Sequence, residues 1–320
     1  MRLTAMVVVA AASLFASSAM AAELKCSEVR LIVPYPAGGA TDVAARLLGE
    51  HLEAALKKTV VVDNRAGASS NIGTLSVVRG TPDGCTLLIN ATTIATFPWS
   101  FSKLNYDPLK DLAAVGGVGN TPTVQVTSRD GKANDLKGLA LWAKEKADGL
   151  TFASTGYGLF PHLAAEELAQ LSGAKMSHVP YKGIAQASGD LITGRVDFGS
   201  FTLGSVVSLI NDGTLKPLAI YADQRSELVP KISTTVEQGL KGHDAGVRYL
   251  VFAPPSTPKD TIALLSSELS KIVSDPTLKS RFMRIGFDPT PMTADEASAA
   301  MQKAGDDWAP VIKRLNIKLD

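Results

Sequence analysis

What most constrains this chain is the alternation of two hydrophobic periods along its length. Short apolar runs closed by Gly, Pro or polar turns exchange with stretches whose apolar residues recur at three and four, the pattern of strands alternating with amphipathic helices in an α/β protein. Val29 to Pro34 reads as the first strand. Asp42 to Lys57, with Val43, Leu47, Leu48, Leu52 and Leu56 on one stripe, reads as a helix with one buried face. Strands are predicted at Thr59 to Val62, at Thr86 to Ile89 after the turn Pro82-Asp83-Gly84, and at Val124 to Thr127 after Pro122. A helix from Leu136 to Lys146, a strand at Leu150 to Ala153, a helix at His162 to Leu171, a strand at Met176 to Val179 and a helix at Ala185 to Thr193 follow. Short strands at Val196 to Phe198 and Leu218 to Tyr221 precede a mostly helical tail from Asp260.

Size and charge narrow the class. With 320 residues, the chain exceeds what one core comfortably fills, so two lobes are expected. Its 32 basic and 31 acidic residues leave a net charge of +1, too small a field for nucleic acid or an anionic membrane. Met1-Arg2, the apolar run Ala5 to Phe15 and Ala19-Met20-Ala21 form a secretory signal peptide over residues 1–21, predicting a mature start at Ala22. Leu24-Lys25 before Cys26 does not suit a lipoprotein signal, so a freely diffusing exported protein of the periplasm is expected. Two cysteines then sit in an oxidising compartment, and no Cys-x-x-Cys or His-Glu-x-x-His spacing points to a metal. If the first and third strands are parallel neighbours, Cys26 and Cys85 precede them at the same end and a disulfide is predicted; two buried thiols are the other reading.

Four loops carry chemistry. Pro34 to Asp42, Asn64 to Asn71, Ser154 to Gly158 and Pro180 to Gly183 each join a strand end to a helix start through a Gly/Ser/Thr-rich turn. Such turns offer backbone N–H groups and a positive helix end to a carboxylate, at the carboxyl ends of strands where open α/β sheets bind ligands. Any one of them alone reads equally as a tight turn. Two in each half of the chain point to a ligand cleft between lobes. No Gly-x-Gly-x-x-Gly, phosphate loop or Gly-x-Ser-x-Gly elbow is present. His162 opens its helix after a Gly-rich loop and either faces the cleft or simply packs and caps. Asp42 reads as accepting from the N–H groups of its own helix start, whereas Asp197, beside a strand end, is placed to receive a ligand hydroxyl or amine.

With these loops located, the chain resembles the extracytoplasmic solute receptors of the tripartite tricarboxylate transporter family, the Bug receptors. The residues that carry the resemblance are Val29-Arg30-Leu31-Ile32-Val33-Pro34-Tyr35-Pro36-Ala37-Gly38-Gly39 with Asp42 and Ala45-Arg46, then Val62-Asp63-Asn64-Arg65-Ala66-Gly67-Ala68 with Ile72-Gly73. Tyr106-Asp107-Pro108-Leu109, Phe152-Ala153-Ser154, His162-Leu163-Ala164-Ala165-Glu166, His178-Val179-Pro180-Tyr181-Lys182-Gly183 and Gly194-Arg195-Val196-Asp197 continue it along the mature chain. The resemblance implies a two-lobed, type II-like periplasmic-binding-protein fold, a Venus flytrap joined by two crossing segments. It implies a small organic carboxylate held by backbone amides at Tyr35, Ala37, Gly38 and Gly39 and at Ala68, Ser69 and Ser70. Asp42, Thr92, Ser154, Thr155, Gly156, Tyr157, His162, Tyr181 and Asp197 complete the expected ligand set. The sequence departs from the family's pattern at Tyr157-Gly158-Leu159-Phe160-Pro161, at Thr92 to Pro98 and at Arg248-Tyr249, all around the expected pocket.

These readings converge on a periplasmic receptor that captures a small organic carboxylate for membrane transporter subunits, without cofactor, metal or catalytic residues, and acting as a monomer. A sensor input and a two-lobed enzyme are the rival readings, the latter lacking a recognisable nucleophile or base. The expected division is 22–122 plus 223–320 for lobe one and 123–222 for lobe two. A β-branched residue at Gly39 is expected to block the carboxylate. Because no basic residue lies between Pro34 and Asp42 or between Gly67 and Asn71, the anion is expected to meet amides rather than Lys or Arg, with Arg65 and Lys182 the nearest exceptions.

Overall fold

The computed structural model describes residues 24–38, 40–181 and 183–319. The expected signal peptide, Gly39 and Lys182 lie outside the described residues. In chain order the elements are β1 (Glu28–Val33), α1 (Ala40–Leu56), β2 (Thr59–Asn64), α2 (Asn71–Val78), β3 (Thr86–Ala91), α3 (Phe97–Ser100), β4 (Ala113–Thr121) and β5 (Thr123–Ser128). There follow α4 (Leu136–Glu145), β6 (Leu150–Ser154), α5 (Phe160–Ser172), β7 (Met176–Pro180), α6 (Ile184–Ile192), β8 (Phe198–Thr202), α7 (Leu203–Asn211) and β9 (Leu215–Tyr221). The last are β10 (Val247–Ala253), α8 (Lys259–Val273), α9 (Pro276–Arg284), β11 (Asp288–Met292) and α10 (Ala294–Leu315).

They form two mixed sheets, one ordered β11-β4-β10-β3-β1-β2 and the other β7-β6-β8-β5-β9. Both follow one plan: three parallel strands (β3, β1 and β2 in one; β8, β6 and β7 in the other) are bordered by antiparallel strands that carry the chain between lobes. β4 belongs to the first sheet and β5 to the second, with Pro122 alone between them. Proline donates no N–H and fixes φ, so the strand ends there and changes sheets without a loop. Thr123 Oγ1 donates to Ala245 O at 2.7 Å, tying this crossing to the return segment that leads into β10. Before that return, Ile220 N donates to Ser233 O at 2.9 Å and Thr235 N to Ile220 O at 2.8 Å, so this stretch hangs on β9 of the second sheet.

A third link is α10. Its start carries a capping box, with Thr293 accepting from Glu296 N and Glu296 returning to Thr293 N. Its far end is apolar: Trp308 is fully buried and stacks on Phe160 of α5 at 5.5 Å, within a core cluster that also holds Leu163, Phe152 and Phe198. The helix therefore starts on the first sheet and finishes in the core of the second lobe.

The structure adds β4, β10, β11, α2, α3 and α7 to the elements expected from sequence. β4 is hidden by its own glycines, which lower strand propensity. They are needed because β11 crowds it: a Cβ on Gly117 would lie 2.6 Å from Thr290 O. β8 starts at Phe198 rather than Val196, since Asp197 is held ahead of the strand by Thr151.

Cys26 and Cys85 are bonded, with Cα atoms 6.2 Å apart and 59 residues of separation. They close the amino ends of β1 and β3, whose register pairs Arg30 with Thr86. In the chain-entropy account a loop of this length stabilises by about 4 kcal/mol. Replacing both cysteines by serine is expected to lower the unfolding free energy by about that amount in a urea titration. Thiol labelling of the unfolded, unreduced protein is expected to find no free thiol.

Candidate functional site

The first-lobe loops are braced from behind. Tyr35 follows β1, and its hydroxyl donates to Asn90 Oδ1 at 2.8 Å. Burial, with Tyr249 and Tyr106 nearby, pushes the Tyr35 phenol up, so it stays a donor. Asn90, fully buried at the end of β3, donates in turn to Thr74 Oγ1 at 2.9 Å and to Ser70 Oγ at 3.4 Å. Thr74 Oγ1 donates to Ser70 O at 2.9 Å. One carboxamide thus couples the loop after β1 to the loop after β2. Asn90 escaped the sequence reading; its signal is a lone amide closing an otherwise apolar strand.

The loop Gly67–Ser70 is itself unusual. Ala68, Ser69 and Ser70 take φ of 46°, 52° and 76°, three consecutive non-glycine residues in the left-handed region, after Gly67 at 131°. Each such residue costs on the order of 1–3 kcal/mol and persists where surroundings over-determine it, commonly at ligand clamps. The brace on Ser70 supplies that determination. Ala68 and Ser69 are exposed, and Ser70 is buried.

The loop after β1 has a different anchor. Ala37 and Gly38 are exposed, with Gly38 at φ 83°. Gly38 N donates to Asp42 Oδ2 at 2.9 Å. Asp42 also accepts from Arg46 Nε at 3.1 Å and Nη2 at 2.9 Å, and from Asn64 Nδ2 at 3.0 Å. Burial alone would raise its pKa, but hydrogen bonds from Arg46, Gly38 and Asn64 outweigh this and hold the carboxyl below its ordinary range. Its lone pairs are occupied by protein donors, so Asp42 shapes the loop. Arg65 is likewise spent on Asp63, at 2.8 Å. Thr92 is buried, its Oγ1 accepting from Arg248 N at 3.3 Å.

In the second lobe, Ser154 ends β6. Its Oγ lies 2.8 Å from His178 Nε2 and 3.1 Å from Gly156 O, and Gly156 N reaches back to it at 3.4 Å. His162, buried in the first turn of α5, accepts from Gly158 N through Nδ1 at 3.0 Å. Thr155 and Gly156 are half-buried, and Tyr157 is exposed with its ring on His162 at 4.8 Å. His178 was met only within the resemblance, since a histidine on a strand carries no spacing signal of its own.

Two expected residues are placed elsewhere. Asp197 stands ahead of β8, at the strand end opposite Ser154, where Lys146 Nζ at 2.8 Å and Thr151 N at 2.8 Å engage it. Tyr181 is buried in the core beside α6, and its hydroxyl donates to Asp190 Oδ2 at 3.0 Å. Alternation along parallel strands sets both outcomes: each residue follows or precedes the right strand on the wrong side or end. Among the described residues no group of three or more metal-ligating side chains comes together, and no helix is long and apolar enough to cross a membrane.

One residue, Leu319, lies beside a strand-end loop of each lobe. Leu319 lines a cavity with Ala68 and Ser69, and a Cβ on Gly158 would lie 2.9 Å from Leu319 Cδ2. Strand-end loops from two similar α/β lobes, meeting beside a double crossing, define a two-lobed solute-binding protein. The family described as tripartite tricarboxylate transporter family receptor matches residues 44–317, and the chain belongs to that family. It is 32% identical over 293 residues to protein BugT of Bordetella pertussis, covering 91% of this chain and 90% of the relative. The solved structure of the periplasmic binding protein BugD is 31% identical, with a TM-score of 0.74 over 91% of this chain and 98% of that one. MatC from Rhodopseudomonas palustris, solved with bound malate, is 26% identical, with a TM-score of 0.74 over 89% and 98%.

Removing the Asp42 carboxyl leaves Gly38 N, Arg46 and Asn64 without their acceptor. Asp42→Ala is therefore expected to cost about 1–3 kcal/mol in urea unfolding at neutral pH. The depressed native pKa means this contribution is present above the ordinary carboxylate pKa near 4 and fades as pH falls through the native value. The stability difference between the two proteins is expected to shrink in acid.

Proposed function

We propose that this protein is a periplasmic receptor that captures a small organic carboxylate between its lobes and hands it to membrane subunits of a tripartite transporter. The observation that carries the reading is the state of the charges around the first-lobe loops. Arg46 and Arg65, which flank those loops in sequence, are paired with Asp42 and Asp63, and the loops themselves offer amides and hydroxyls, while Lys103 stands exposed on the cavity beside Ala68 and Ser69. A carboxylate arriving there meets backbone donors and the start of α1, fixed partial charges that need no reorganisation. The malate bound by MatC supports a carboxylate as the ligand class. Export through residues 1–21 and action as a monomer belong to the same reading. So does the division into lobes, 22–122 plus 223–320 and 123–222; the bonds of Ser233 and Thr235 to β9 favour a return to lobe one somewhat later than 223.

A thermal-shift screen of carboxylates tests the reading. A ligand at 100 times its Kd adds about 2.7 kcal/mol to the folded state and raises Tm; a protein that none of them shifts is not such a receptor. With a hit in hand, calorimetry across a salt series distinguishes amides from cations. Affinity is expected to change less than about tenfold, and Arg65→Ala and Lys182→Ala to cost less than about 3 kcal/mol, which is the loss when a buried ion pair is broken.

A further inference from the structure

Four rings run in sequence from the second lobe's core to the surface of its ligand loop. Phe152, fully buried, stands 4.9 Å from His178; His178 stands 4.0 Å from His162; His162 stands 4.8 Å from Tyr157. Successive planes are tilted by only 28°, 31° and 32°. Tyr157 ends the series with 43% of its surface exposed. One side of its ring is packed on imidazole and the rest is open, in a loop at the carboxyl end of a parallel strand.

The loop after β6 contributes no cation of its own. Residues 154–162 contain neither Lys nor Arg. His162 accepts Gly158 N through Nδ1 at 3.0 Å, and its Nε2 lies 3.5 Å from Glu166 Oε1, so both ring nitrogens already have partners inside the lobe. Burial holds His178 down to about 3, so its ring is neutral. The amides of Gly156 and Gly158 are committed to Ser154 and His162. A second carboxylate reaching this loop would lose hydration, would meet no Lys or Arg of residues 154–162 and would find two of its amides already bonded.

The space beside the carboxylate loop is mainly apolar, with Asn71, Asn105 and Tyr106 as its polar lining. A cavity of about 430 Å³ adjoins Ala68 and Ser69 and is walled by Ile72, Phe101, Leu104 and Leu319. Lys103 at its rim is the one charged residue on the lining and is exposed. Leu319 connects this cavity to Gly158, the neighbour of Tyr157.

We propose that the ligand is an aromatic monocarboxylate, its carboxylate on the Gly67–Ser70 loop and its ring against the open face of Tyr157. This rests on the carboxylate reading above and names the rest of the molecule, which differs in kind from the malate of MatC. The test is calorimetry of the purified protein with four probes, benzoate, phenylacetate, malate and adipate, on the parent and on Tyr157→Ala and Tyr157→Phe. An aromatic probe is expected to bind more tightly than either dicarboxylate. Tyr157→Ala is expected to weaken it about 3- to 10-fold, the scale of one aromatic pair, while Tyr157→Phe retains it and the dicarboxylates barely change. A dicarboxylate that binds more tightly than both aromatic probes, or an aromatic affinity indifferent to Tyr157→Ala, overturns the inference and leaves the receptor reading standing. Binding by none of the four overturns both.

Discussion

The rest of the structure depends on a crossing one residue long. Thr121 closes β4, Pro122 turns, and Thr123 opens β5 in the other sheet, so the two lobes are held at a fixed edge-to-edge distance by a single peptide step. The threonines on either side reinforce it: Thr121 Oγ1 accepts from Gly204 N at 3.2 Å, and Thr123 Oγ1 donates to Ala245 O at 2.7 Å. A longer linker would leave the lobes free to wander. Here the parallel strands of both sheets end toward one another, and a ligand touching both lobes selects among few relative orientations. α10 adds a third tie by burying Trp308 in the second lobe's cluster.

Within that frame the charged residues mostly neutralise one another, and this decides what the site can recognise. Asp42 with Arg46, Asp63 with Arg65, Asp197 with Lys146 and Asp190 with Arg195 are all local pairs. The carboxylates of Asp42 and Asp197 are buried in these pairs, whereas more exposed pairs such as Asp63 with Arg65 contribute little stability, in general about 0–1 kcal/mol each. Their consequence is selective: with side-chain charges occupied, an incoming anion is discriminated by geometry, through amides at one end and aromatic surface at the other. Asp42 shows the principle at atomic scale, since its carboxylate organises the loop after β1 by accepting Gly38 N and Asn64 Nδ2.

Much of the fold was legible because burial writes periodicity into sequence. The stripe on Asp42 to Lys57 appears as α1, and the apolar runs at Val29 and Thr86 as β1 and β3. What periodicity cannot report is a strand shaped by its neighbours' bulk: β4 carries Gly116 and Gly117 because carbonyls of β11 approach to 2.6 Å of where Cβ atoms would stand. In the site, loops were legible and individual side chains less so. Gly/Ser-rich turns after strands announce themselves. Whether Asp197 or Tyr181 faces the cleft depends on which end of a strand and which side of a helix the fold selects, and both are engaged inside the lobe instead. Asn90 and His178 act through tertiary hydrogen bonds to residues far apart in sequence; the lone amide near the end of β3 is the single local mark of Asn90, and His178 has none.

The first lobe finally shows how strain at a binding loop is sustained. Three left-handed non-glycine residues cost several kcal/mol by general magnitudes, a large share of the 5–15 kcal/mol that holds a typical protein folded. The opposing stabilisation lies at the other end of the same strands. The Cys26–Cys85 bond joins the amino ends of β1 and β3, while the loops at their carboxyl ends carry the strain and the Tyr35–Asn90–Ser70 brace. Separating the two matters, because a covalent tie beside the loop would fix it by bulk and occlude the amides. With the tie at the far end and a buried amide at the near end, the loop is held in an unfavourable conformation and left open to a ligand.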